Sequence, residues 1–398
     1  MPAPARPGYR ALLSTPGTAR SSAAALVGRM PIAMLGIGSV LLVADRRGSY
    51  ALAGAVAGAY AIGRAGIGPV VSRLVDTRGQ ARVLPAALGL HAVAVLALVL
   101  LSGTRAPAVV LLVAGVATGA ALPPLGPCVR TRWALLLAEH GRSDQLPRAL
   151  ALESVADEVV FVLGPLLVVL LATVADPAAG VLTSLTLAVV GTLAFVRLHA
   201  DPPRPEQPGA RASSALRVPG VRVVIATLAA VGVAFGALEV VVVVFTEERG
   251  APGSAGWLLA LVAAGSGASG LVYGARSWRA PVGPRFLLAL AGLAVGVAPL
   301  LLAPTVPVLA PLALLSGIAI SPTLIASYAL VEVLVPSTAH TEGYSLLSSG
   351  LLSGVAAGSA LGGALAEAVG ARSGFVLCLV AALVALAVAA AGRRSLAP

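Results

Sequence analysis

Twelve runs of about twenty mostly apolar residues recur along this chain, at 24–44, 50–71, 83–102, 107–128, 148–175, 179–197, 222–245, 255–275, 286–303, 308–331, 343–369 and 374–392. A helix of about twenty such residues spans the hydrocarbon core of a bilayer. In that solvent the chain must satisfy its own backbone N–H and C=O groups, and a helix does so within each run. Polar or Pro/Gly-rich breaks separate the runs, and Pro123, Pro124 and Pro127 interrupt the fourth. The expected fold is an all-α membrane protein without a soluble domain. Composition points the same way: charged residues are 11% of the chain, against roughly a quarter in ordinary soluble domains. That is too few to cover a water-facing surface.

The formal charge of +11 comes from 27 basic residues, all of them Arg, scattered through short inter-helix segments. They form no aromatic-interleaved basic patch, so no nucleic-acid partner is expected. Their distribution instead sets an orientation. Five of them (Arg46, Arg47, Arg105, Arg249 and Arg372) fall on one side of the twelve runs and twenty on the other, with Arg29 and Arg64 inside the membrane. By the positive-inside rule both termini are expected to be cytoplasmic in a multi-pass cell-membrane (inner or plasma membrane) protein. The first 22 residues lack a short apolar core followed by a cleavage site and read as a cytoplasmic tail. Cys128 and Cys378 lie far apart, without metal spacing or a disulfide framework. No metal or other cofactor is expected. No catalytic constellation or phosphate-cradling G-x-x-x-x-G-K-[ST] loop occurs, so neither an enzyme nor an ATP-driven machine is expected.

The longest polar break is rich in Pro, Arg, Ser and Ala, a linker composition. It divides the chain into a tail (1–22), a six-helix bundle (23–198), a linker (199–221), a second six-helix bundle (222–392) and a short tail (393–398). The halves echo each other. Gly119-Ala-Ala-Leu-Pro-Pro124 matches Gly317-Ile-Ala-Ile-Ser-Pro322 at an offset of 198, while Gly164 and Gly180 match Gly358 and Gly374 at 194. Two pseudo-symmetric bundles of this kind rock around a site near the membrane midplane.

Between the second and third runs, Ser72-Arg-Leu-Val-Asp-Thr-Arg-Gly-Gln-Ala-Arg82 is similar to the signature of the major facilitator superfamily, with Asp76, Gly79 and Arg82 matching and Ser72 and Thr77 departing. Gly79 permits a tight turn, and Asp76 suits a helix end or a nearby Arg. In that family the loop is a conformational latch between the halves, which makes these three residues candidate gating residues. Its second-half counterpart, Gly274 to Arg285, keeps only Gly and Arg residues. Phe161-Val-Leu-Gly164-Pro165 resembles a reduced form of the Gly-Pro motif of drug:proton antiporters. Gly354, Gly358, Gly362, Gly363, Glu367, Gly370 and Phe375 resemble the sugar- and drug-efflux branch. The resemblance implies a secondary active transporter, by preference a proton-coupled exporter of a small organic molecule, working as a monomer with protons and a small-molecule substrate as partners. Uptake by a symporter or uniporter on the same fold is the alternative, and a non-transporting membrane sensor a third.

Charges inside a bilayer cost roughly 2.5–3.5 kcal/mol at a helix centre, so those retained here are the candidate functional residues. The fifth run holds Glu153, Asp157 and Glu158. Glu153 and Asp157 share a face, continued by Gly164. Adjacent carboxylates in low dielectric titrate as a unit, as a proton carrier requires. The alternative is structural pairing with Arg29 and Arg64. Asp157 and Glu158 are the candidates for proton coupling or the substrate cavity, with Glu153 as a pairing partner. Arg29, beside Pro31, has two readings, snorkelling to the interface or pairing, whereas Arg64, between glycines, suits pairing with an acid of the fifth helix. Glu239 stands alone in the seventh run as a cavity or proton group. Glu332 and Glu342 bound a loop without Arg, as gate contacts or solvated helix ends. His140, His199 and His340 fall in loops, while His91 reads as a packed neutral imidazole, with a proton relay as the alternative. Arg130, Arg132 and Trp133 read as an interfacial anchor, with a substrate-gate role as the alternative.

Overall fold

The computed structural model describes residues 9–198, 214–276 and 278–397. His199 and most of the expected linker lie outside the described residues. Twelve helical spans are long and apolar enough to cross a membrane, and no strand occurs among the described residues. They are α1 (Thr18–Arg47), α2 (Tyr50–Arg78), α3 (Gln80–Ser102), α4 (Ala108–Glu139), α5 (Ser143–Val174), α6 (Pro177–Arg197), α7 (Pro219–Glu248), α8 (Pro252–Ala275), α9 (Val282–Leu302), α10 (Val306–Leu334), α11 (Ser337–Val369) and α12 (Ala371–Ala391). The shortest spans have 21 residues, roughly 31 Å of helix at 1.5 Å per residue and enough for the bilayer core.

Several spans outrun their apolar runs. The fourth continues to Glu139, well past residue 128, because its prolines sit where backbone donors are dispensable. It consists of two helices, Ala108–Ala120 and Leu125–Glu139. Pro123 and Pro124 lie in the break, and Pro127 is the third residue of the second piece, within the first turn whose N–H groups have no helical partner. The tenth span divides in the same way into Val306–Gly317 and Ile320–Leu334, and Pro322 is again the third residue of the second piece.

Two compact units result, one comprising residues 1–149, 156–212 and 338–345, the other residues 150–155, 213–337 and 346–398. Within the first, Gly63 and Gly119 bring α2 and α4 into backbone contact: a Cβ on Gly63 would strike the carbonyl of Val116, and one on Gly119 that of Tyr60. Within the second, Gly265 of α8 and Gly317 of α10 abut the carbonyls of Leu314 and Val262 in the same reciprocal fashion. The four pairs are related by constant offsets of 198 and 202, so the repeat extends from sequence into packing. Gly164 of α5 packs on Ala33 of α1, and its counterpart Gly358 of α11 packs on Val233 of α7. In lipid, where burying apolar surface between helices gains little, such close backbone approach supplies the van der Waals contact that holds helices together.

The seam between α7 and α11 is the longest of these. Gly350, Gly354, Gly358 and Gly362, each four residues apart, face Ile225, Ala229, Val233 and Ala237. Residues four apart share a helix face, so the glycines form a continuous smooth stripe. The connection to α12 turns at Gly370, with φ of 95°. There the carboxylate of Glu248 accepts the Ala371 N–H at 2.8 Å, satisfying one donor at the start of α12.

Candidate functional site

In the first unit, α1, α4 and α5 each contribute one charged side chain to a single cluster. Asp157 of α5 accepts from Arg29 Nη1 of α1 through Oδ1 at 3.1 Å and from Arg130 Nη2 of α4 through Oδ2. Both guanidinium groups are sealed, at 1% and 2% exposure, whereas the carboxylate retains 28%. Gly126, one turn before Arg130, makes room, since a Cβ there would stand 3.2 Å from Arg130 Nη1. Arg29 does not snorkel: Gly28 lies against the backbone of Gly191 in α6, which closes the route outwards. Charge-assisted bonds of this kind, one to each carboxylate oxygen, are among the stronger and more directional contacts in proteins.

Glu158 is half-buried next to Asp157, and Glu153 is fully buried within residues 150–155, which belong with the second unit. Arg64 has no carboxylate partner among the described residues, contrary to the pairing expected from sequence. The tight α2–α4 packing around Gly63 and Gly119 sets its side chain beside the Tyr60 hydroxyl instead. Glu239 is exposed on α7 with no cation against it among the described residues. Gly164 of the motif in α5 lies where that helix packs on α1, and Pro165 beside it is half-buried.

Arg130, Arg132 and Trp133 are not an interfacial anchor; all three are at most 4% exposed. Arg132 donates to Gln80 Oε1 at 2.6 Å and the Phe195 carbonyl at 2.9 Å, and lies 3.7 Å over the Phe195 ring. Trp133 Nε1 donates to Ser22 Oγ at 3.1 Å. These contacts clamp α4 to the ends of α1, α3 and α6. What the sequence reading missed is the pairing of Arg130 with Asp157. Its signal was the break before it, which makes residue 130 part of a fresh helix and not of a frayed end.

The break also explains His91. Ala121 N–H goes to the Ala117 carbonyl and Leu122 N–H turns back to Gly119, so the Thr118 carbonyl lacks its usual i+4 donor. His91 of α3, with no exposed surface, supplies one: Nδ1 lies 2.9 Å from Thr118 O. A carbonyl only accepts, so Nδ1 carries the proton. A freed backbone group at membrane depth needs such a partner.

At the end of α2, Asp76 has no Arg partner among the described residues. Its carboxylate accepts the backbone N–H groups of Thr341 (3.3 Å) and Glu342 (2.9 Å). These are the second and third residues of the helix His340–Val369, so Asp76 caps a helix N-terminus, where orphan donors and the helix dipole both favour an anion. Thr131 Oγ1 and Thr341 Oγ1 lie 3.0 Å apart beside it. Gly79 makes the turn into α3 at φ 89°, and Arg82 is exposed. Glu342 is 5% exposed, so it is not a solvated helix end, while Glu332 is half-buried.

No curated protein matches this chain. Among solved structures it is similar to a bacterial homologue of the iron transporter ferroportin in the outward-facing state, at 15% identity and a TM-score of 0.74, covering 94% of this chain and 99% of that one. It is also similar to the human organic anion transporter TETRAN (15% identity, TM-score 0.70, 94% and 98% covered) and to the E. coli fucose:proton symporter (14%, 0.70, 94% and 98%). At these identities the likeness establishes the fold. The model of the Major Facilitator Superfamily matches residues 22–275 and again residues 224–396. With two matches that together span nearly the whole sequence, the chain belongs to the major facilitator superfamily, as a multi-pass membrane protein of the transporter fold.

Proposed function

We propose that this protein is a proton-coupled exporter of a small, amphipathic organic molecule, working by alternating access as a monomer with both termini in the cytoplasm. The observation that carries the reading is Asp157, a partly accessible carboxylate on which two sealed arginines from different helices converge. Proton binding at Asp157 removes the charge that holds Arg29 and Arg130, so α1 and α4 lose a shared tether to α5. A proton thereby becomes a mechanical signal within the bundle. Glu158 is the adjacent proton donor and acceptor, and Glu239 a second carboxyl available to substrate or proton. Asp76, with Gly79 and Arg82, is the latch, released when α11 gives up its cap. The arginine asymmetry supports the orientation, and the Gly-Pro and α11 glycine motifs favour efflux over uptake.

Proteoliposomes with an imposed pH gradient, run in both gradient directions, test this. Ethidium and carboxyfluorescein serve as cationic and anionic probes. Dye moving against a counter-flow of protons supports export. Dye moving with the proton flux assigns uptake, and dye flux indifferent to the gradient in both directions overturns proton coupling.

A further inference from the structure

The loop joining α8 to α9 in the second unit has a property that the transport reading does not use. Residues 274–285 contain Arg276, Arg279 and Arg285 and no acid, and none of the three has a carboxylate partner among the described residues. Two of them converge on one indole. The guanidinium carbons of Arg276 and Arg285 lie 5.0 and 5.7 Å from the Trp278 ring centroid.

The ring itself is held in place. Trp278 Nε1 donates to the Tyr273 carbonyl at 3.0 Å, and the two aromatic rings are tilted together at 4.6 Å. Arg285 Nη1 reaches the Tyr273 hydroxyl at 3.5 Å, while its Nε is buried without a partner among the described residues. The C-terminal turn Arg393–Leu396 packs on Gly283 at the start of α9 and adds Arg393 and Arg394 to the same end.

Two guanidinium groups around one rigid ring repel each other unless an anion joins them. The first-half signature loop has a built-in anion, Asp76; its second-half counterpart has none. The apolar surroundings indicate where an anion would come from. Val272, adjacent to Tyr273, is 70% exposed, and Leu288, one turn beyond Arg285, is 69% exposed. A phosphate carried by acyl chains would satisfy both halves of this surface at once.

We infer that Arg276, Arg285 and Trp278, with Arg279 at the rim, form a binding site for the phosphate of an anionic phospholipid. The guanidinium groups take the phosphate oxygens, Tyr273 and Trp278 fix the headgroup depth, and Val272 and Leu288 line the path of the chains. Arginine forks suit phosphate geometry, basic pockets at the ends of membrane helices bind anionic headgroups, and Trp and Tyr favour the interface.

The test is lipid binding to the purified full-length protein, measured by native mass spectrometry against phosphatidylglycerol, phosphatidylcholine and inorganic phosphate. Phosphatidylglycerol should bind in preference to phosphatidylcholine. The double variant Arg276→Gln/Arg285→Gln should weaken phosphatidylglycerol binding about thirtyfold, from the loss of two charges near the headgroup. Arg276→Lys/Arg285→Lys should recover part of it, and Arg372→Gln should bind as wild type. Should the double variant not fold, Arg276→Gln alone, an exposed position, should still weaken binding about fivefold. Unchanged phosphatidylglycerol affinity in the arginine variants overturns the site. Displacement of the lipid by inorganic phosphate at equal concentration overturns the lipid assignment in favour of a soluble phosphate.

Discussion

The seam between α7 and α11 allows a sharp test of the packing, at Gly358. A Cβ there would fall against the carbonyl oxygen of Val233 and 2.7 Å from its Cα and carbonyl carbon. Ordinary contacts of a Cβ begin near 3.4 Å. The atoms struck are helix backbone and cannot rotate away, and the carbonyl oxygen is the nearest of them, so Gly358→Ala must push α11 from α7 by about 1 Å at that level. A radial gap of 0.5–1 Å forfeits a quarter to a half of each dispersion contact, and the flanking contacts at Gly354 and Gly362 loosen with it. Overpacking of this kind costs about 1–3 kcal/mol, against a gain of about 0.5–1 kcal/mol from replacing a helical Gly. The net loss is about 0–2.5 kcal/mol, with the loosened flanking contacts placing it in the upper part of that range. Gly363→Ala is the matched control. Its Cβ would meet only Val240 Cγ1 at 3.7 Å, so the propensity gain stands alone. Thermal unfolding of the two detergent-solubilised variants, followed by intrinsic fluorescence, should place Gly358→Ala below wild type and Gly363→Ala at or above it. Equal melting temperatures for the two variants would refute the close-packed seam.

Three further outcomes are expected. His91→Leu leaves the Thr118 carbonyl without its donor and should destabilise the protein by about 1–3 kcal/mol; His91→Asn, whose amide can replace Nδ1–H, should recover most of the loss in the same melting assay. Arg130→Gln should lower transport more than Arg64→Gln does, because Arg130 shares the Asp157 tether and Arg64 does not; equal losses of dye flux would contradict that division. Asp176 caps α6 and pairs with Arg46, and its hydrogen bond from Ala178, reinforced by Arg46, holds its carboxyl below the ordinary range. A depressed folded-state value stabilises above the ordinary carboxylate pKa and is lost as pH falls through the depressed one. The melting-temperature gap between wild type and Asp176→Ala should therefore be widest near neutrality and close in acid.

The fold was legible because hydrophobic length is a strong signal, and the Gly119/Gly317 and Gly164/Gly358 matches turned out to mark equivalent helix contacts. The site was less so. Spans built from Ala, Val, Leu and Gly are apolar all round, so nothing in them encodes how each helix is rotated about its axis. That rotation decides whether Arg29 meets lipid headgroups or Asp157, and whether Arg64 finds an acid or Tyr60. Pairs such as Arg29 with Asp157, 128 residues apart, arise only once several helices are seated. The cap of Asp76 on the helix beginning at His340 spans a still longer separation. Pro123 and Pro124 announced a break in α4, but not that His91 on another helix would satisfy the carbonyl it frees.

The central claim is that proton binding in α5 drives movement of cargo. The most direct measurement is ΔpH-driven dye flux in proteoliposomes by Asp157→Asn, Glu158→Gln and the double variant, each confirmed as folded by its melting curve. Loss of gradient-driven flux in at least one single variant and in the double variant, with folding intact, is the expected result. Undiminished flux in all three would contradict the account.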